Sequence, residues 1–220
     1  MFFHHLQNLF HALDFGSVQG MLFRVLAVLL CLTVHETCHG LAAWALGDPT
    51  AKSMRRLSFN PLRHVDWFGL CMMLLAGFGW AKPVPVDPRY FRKPKQGMAL
   101  TALAGPASNF VLAFLALLLG KTVYLYAPYG FGWNLLFEFL LYHLAPLSIG
   151  LGLFNLLPIP PLDGAKVLGG VLPDRTYFQI MRYERYGMFL LLALAYFGLT
   201  SSLIGDLIYR VYQGMFHLIF

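Results

Sequence analysis

Four stretches of this chain are apolar for longer than the core of a water-soluble domain requires: about 21–46, 97–120, 133–157 and 187–209. At about 1.5 Å per helical residue, each exceeds the roughly 30 Å hydrocarbon thickness of a bilayer. They are continuous blocks rather than amphipathic stripes, which is the pattern of helices solvated by lipid. Composition agrees. Only 12% of the 220 residues are charged, against about 25% in a soluble domain, and that excludes an ordinary soluble enzyme. The reading is an all-α integral membrane protein: a polytopic helical bundle of about four transmembrane helices, forming one membrane-embedded domain over 1–220.

A fifth apolar run, 67–81, is too short to span and contains Gly69, Gly77 and Gly79. It suits a re-entrant or interfacial segment. Nine of the sixteen Lys and Arg lie in 47–96 and four more in 158–186, whereas the linker 121–132 has only Lys121. If 67–81 does not cross, both basic regions share one face, and the excess of positive charge makes that face cytosolic. The expectation is a multi-pass protein of the cell membrane with the lipid bilayer as its solvent. The net charge of +6 is spread over these loops, and no nucleic-acid-binding motif accompanies it. Cys31, Cys38 and Cys71 all fall in apolar runs and read as small hydrophobes rather than a disulfide framework. The N-terminal residues lack the basic-then-apolar layout of a secretory signal.

Inside the first apolar run stands His35-Glu36-Thr37-Cys38-His39. Ionisable side chains at membrane depth are costly, so they point to function. His35 and His39 are spaced i, i+4, so both imidazoles project from one helix face and can bind one metal. Glu36 sits beside that line, within reach of a water activated by the metal. This is the zinc metalloprotease helix pattern. A catalytic zinc takes a third protein ligand. Asp163 is a candidate, because Pro158, Pro160 and Pro161 must interrupt the helix before it and Gly164 permits a sharp turn. A solvated loop aspartate would read the same way from these residues alone.

The pairing of His35-Glu36-x-x-His39 with Asn155-x-x-Pro158-x-x-x-x-Asp163-Gly164 resembles the site-2 protease family of intramembrane zinc metalloproteases. Gly105-Pro106-x-x-Asn109 is similar to a further motif of that family. Asn60–Asp66 and Gly79–Pro85 look like segments of its compact branch, which lacks PDZ and CBS domains. The resemblance implies Zn2+ held by His35, His39 and Asp163, with Glu36 as general base. It also implies a membrane-protein substrate cleaved within or beside a transmembrane helix, generally with release of a fragment to the cytosol.

Asn109, an amide in an apolar span, is read as an oxyanion donor or a substrate-orienting group, with a helix-packing hydrogen bond as the alternative. An extended substrate would pair with exposed backbone, for which 56–59 and 84–86 are candidate edges. His64 and Asp66 suit structural hydrogen bonds better than a second metal site. Glu138 and His143 are five apart, so an α-helix does not bring them onto one face. A zinc-binding or zinc-transporting protein without hydrolysis is the competing function, and it leaves Glu36 without a task.

Overall fold

The computed structural model describes residues 18–69, 82–128, 130–182, 184–196 and 199–220. Among these residues the regular structure is helical, with no strand. Three helices are long and apolar enough to cross a membrane: α1 (Val18–Ala45), α3 (Pro94–Tyr126) and α4 (Phe131–Asn155). They coincide with the first three expected spans. The short α2 (Thr50–Ser53) follows α1, and α5 (Asp163–Val171), α6 (Asp174–Arg182), α7 (Glu184–Tyr196) and α8 (Leu199–Ile219) complete the chain. The expected fourth span, 187–209, falls across α7 and α8. Most of the segment 67–81, from residue 70 onward, lies outside the described residues, as do Cys71 and residues 79–81 of the Gly79–Pro85 motif.

Helices α1 and α3 meet along two rows of mostly small residues. On α1 the buried positions Ala27, Cys31, His35, His39 and Ala43 recur every four residues. On α3 the row is Gly97, Thr101, Gly105, Asn109, Ala113 and Leu117. In lipid, helices associate through close van der Waals packing rather than solvent exclusion, and small residues let the backbones approach. The larger side chains, such as Leu26, Leu41, Leu103, Val111 and Leu115, are exposed on the surface that lipid would cover.

The apolar core occupies one half of the bundle, where Ala27, Cys31, Leu117, Leu140, Leu144, Ile149 and Ile219 cluster. Lys121 Nζ donates to the Ile219 carbonyl, which anchors the end of α8 there. Helix α4 is not uniformly α: Phe139–Leu144 form a π segment, with the Ala145 N–H donating to the Leu140 carbonyl. Pro146 follows immediately; it has no N–H to offer the preceding turn and crowds the carbonyl there, and the wider π turn relieves that conflict. The five-residue spacing corrects one expectation. Glu138 and His143 come within 4.0 Å of each other, because a π turn aligns i with i+5.

At the other end, α1 stops at a Schellman cap. Gly47 adopts φ +107°, its N–H donates to the Trp44 carbonyl, and the Asp48 N–H donates to the Ala43 carbonyl. Asp48 is fully buried. Its carboxylate accepts from the Thr50 N–H at 2.9 Å, from the Thr50 hydroxyl and from the Asp87 N–H at 2.8 Å. A single carboxylate therefore ties the end of α1 to the segment 82–87, which has no regular secondary structure. Arg56 secures that segment's start by donating to the Lys82 and Pro83 carbonyls. His64 and Asp66 make the structural hydrogen bonds expected of them: His64 Nε2 lies 2.6 Å from the Ser58 carbonyl, and Asp66 accepts from the Gly69 N–H.

Asp48→Ala leaves the Asp87 and Thr50 N–H groups without their acceptor. The expected cost is about 2–3 kcal/mol, seen as a lower melting temperature of the detergent-purified protein, with faster trypsin cleavage after Arg89. An unchanged melt and digestion pattern would contradict the linking role.

Candidate metal centre

His35 and His39 project from α1 into the seam with α3, about 15 Å and 9 Å of helix from the C-terminal end of α1. Asp163 reaches them from the first turn of α5. Leu156 to Leu162 separate α4 from α5, because the prolines at 158, 160 and 161 cannot continue the helix. The chain therefore turns back on itself, so closely that a Cβ on Gly164 would overlap the backbone of Leu156 and Leu157. Glycine is required here for space.

The three side chains converge. His35 Nε2 and His39 Nε2 are 2.9 Å apart, and Asp163 Oδ2 is 3.1 Å from each. All three residues are buried. Neutral imidazole nitrogens and a carboxylate oxygen are zinc donors, and ligands 2.0–2.1 Å from a tetrahedral ion stand about 3.3 Å apart. The residues fit such an ion. Burial alone would raise the Asp163 carboxyl, but the two imidazoles that face it bring it below its ordinary range. Its other oxygen faces Lys166 Nζ at 3.9 Å.

Helix α3 provides the backing. His39 Nδ1 is 2.7 Å from the Thr101 carbonyl, so that ring donates backward and directs Nε2 forward. His35 Nδ1 meets the Asn109 amide at 3.2 Å. Between them lies Gly105, where a methyl group would overlap both imidazole rings. Pro106 follows inside the helix. The Gly-Pro pair is therefore a clearance for the two histidines.

The donors open on a cavity of about 320 Å3, whose polar lining also includes Glu36, Asn155 and Lys166 and whose apolar side includes Val84, Val86 and Met98. Glu36 Oε2 accepts from the Val84 N–H at 2.8 Å. Asn109 does not line this cavity. It is 0% exposed, behind the His35 ring, and its carbonyl accepts from Ser148 Oγ at 2.8 Å. That placement matches neither of the substrate-facing roles expected of it, because an oxyanion donor must reach the reacting carbonyl. The Thr101 carbonyl and the Val84 N–H escape a sequence search, since backbone groups carry no residue signature. The four-residue spacing of 101, 105 and 109 against 35 and 39 is the one available signal.

Residues 130–197 match Peptidase family M50. YwhC of Bacillus subtilis (strain 168), which bears a zinc-metalloprotease name, is 37% identical over 179 residues, covering 79% of this chain and 80% of its own. Rip2 of Mycolicibacterium smegmatis, named likewise, is 30% identical over 184 residues, or 81% and 68% of the two chains. A zinc metalloprotease of Methanocaldococcus jannaschii, MJ0392, is 31% identical over 110 residues, 49% of this chain and 30% of its own. No solved structure matches.

Gly105→Ala drives a methyl group against both imidazoles. The variant is expected to insert in the membrane as the wild type does but to lose zinc affinity by about tenfold or more, as misplaced ligands do. Zinc content after dialysis against a weak chelator measures this.

Proposed function

The chain belongs to peptidase family M50 and is an intramembrane zinc metalloprotease, and from that premise we propose a division of labour among its residues. His35, His39 and Asp163 hold the zinc, Glu36 is the general base, and the substrate is a membrane protein cut within or beside a transmembrane helix. The observation that supports this best is the convergence of three donor atoms within about 3 Å beside a glutamate in one cavity.

Zinc held by His35, His39 and Asp163 would supply Lewis acidity to a scissile carbonyl and to an attacking water. Glu36 takes that water's proton and passes it to the leaving amine. The Val84 N–H, donating to Oε2, fixes the carboxylate while Oε1 stays available for the proton. Thr101 holds His39 in the tautomer a ligand needs.

A helical substrate keeps its carbonyls in its own hydrogen bonds, so cleavage requires an unwound stretch. The segment 82–87 runs alongside the site without regular secondary structure, and its Val84 and Val86 line the cavity. A substrate pairing with this edge would present its backbone to the metal, in the manner of strand addition. The basic residues Arg55, Arg56, Lys82 and Arg92 lie in the loops at this end, which supports a cytosolic orientation, a cell-membrane location and release of a fragment to the cytosol, as in regulated intramembrane proteolysis. One membrane-embedded protease domain over 1–220, with the fourth span and the re-entrant segment as read from sequence, is part of the same proposal.

Glu36→Gln separates this function from zinc binding or transport without hydrolysis. The variant is expected to keep about one zinc per chain and to lose cleavage by a factor of about 10³ or more, the scale on which a removed general base acts. Mass spectrometry of new peptide termini in membranes expressing either form reads the cleavage. Equal sets of termini in transmembrane segments, with zinc bound in both, would overturn the assignment of Glu36.

A further inference from the structure

The two ligand imidazoles have unequal support. His39 Nδ1 faces a backbone carbonyl, an acceptor that leaves no choice of tautomer: Nδ1 carries the proton and Nε2 the lone pair. His35 Nδ1 faces a side-chain amide instead, which can present either its oxygen or its nitrogen. As placed, Asn109 Nδ2 is 3.2 Å from Nδ1, and Oδ1 is buried without a hydrogen-bond partner. With the amide nitrogen in that place Nδ1 could only accept, which would put the proton on Nε2, the atom that converges with His39 Nε2 and Asp163 Oδ2.

A metal ion at that convergence requires the opposite tautomer, because both Nε2 atoms must offer lone pairs. We propose that Asn109 is the positioning residue for His35: in the metal-loaded protein its amide presents Oδ1 to a proton-bearing Nδ1 and so commits Nε2 to the metal. The inference rests on the reading of His35, His39 and Asp163 as ligands. Half a turn of the amide exchanges oxygen and nitrogen with almost no change of shape, so the bundle need not move. Asn109 is fully buried, and Ser148 holds its backbone carbonyl from α4. Its separation from the cavity makes it a positioning group rather than one that touches substrate. On α3, Thr101 and Asn109, eight residues apart, then serve as the two acceptors for His39 and His35, with Gly105 as the gap between them.

The test uses the full chain purified in detergent, with no substrate. Zinc affinity is measured by chelator competition, and the visible absorption of the cobalt-substituted protein reports ligand geometry, for wild type, Asn109→Leu and Asn109→Asp. Leucine removes the acceptor and is expected to weaken zinc binding by about 10- to 100-fold and to alter the cobalt spectrum. Aspartate keeps an oxygen against Nδ1 and is expected to restore both. A packing role would instead move the melting of the metal-free protein and would not separate aspartate from leucine. If leucine prevents folding, Asn109→Ala takes its place in the same comparison. Wild-type affinity in the leucine or alanine variant, or equal weakening in aspartate and leucine, overturns the proposal. Asp163→Ala measured alongside isolates the underlying reading. If it loses zinc while Asn109→Leu retains it, only the role of Asn109 fails; if it retains zinc, the ligand set itself is wrong.

Discussion

The close approach of α1 and α3 is the constraint on which the rest depends. Two charged-capable imidazoles cannot be carried into a bilayer unless another element satisfies them, and α3 does so at four-residue intervals. Thr101, Gly105 and Asn109 succeed one another along one face, opposite His39 and His35. The small residues elsewhere in both rows set the helix separation at which these contacts form. A larger residue at Gly105 would disturb the histidines before it disturbed the fold.

The molecule divides its tasks lengthwise. One half of the bundle is an apolar core built by α1, α3, α4 and α8. The other half holds a buried polar cluster whose third member, Asp163, lies 124 residues beyond His39. The prolines after α4 make this possible. They end the helix near the site, and the unwound stretch returns the chain so that α5 begins with Asp163 against the histidines. Irregular backbone at membrane depth is tolerated where it lines a wet cavity, and Pro161 of this stretch does so.

Much of this was legible from residue type and spacing. Long apolar blocks identify α1, α3 and α4 because lipid allows no other backbone solution than a helix or a closed barrel. His35, Glu36 and His39 stood out because charge at membrane depth is expensive. Asp163 was legible only together with its prolines, and the family pattern was needed to choose it over a solvated loop aspartate. The parts that stayed hidden have physical reasons. A π turn before Pro146 changes which residues are neighbours, so the Glu138–His143 pair runs against an α-helical reading. Asp48 carries no sequence signal of its linking role, because the hydrogen bond that makes it a link comes from Asp87, 39 positions away. Asn109 stands out as an amide in an apolar span, but its direction depends on helix rotation, which an apolar block without periodicity does not reveal.

The bond between Glu36 and the Val84 N–H joins α1 to the irregular segment beside it. The Glu36 carboxylate is anchored to the same strip of backbone that lines the cavity. Asp48 and Arg56 fasten that strip at its two ends. Displacing the strip to admit a guest would release the carboxylate from its anchor, and returning it would re-aim the carboxylate at the bond. Any movement of the strip would therefore be felt at Glu36 as well.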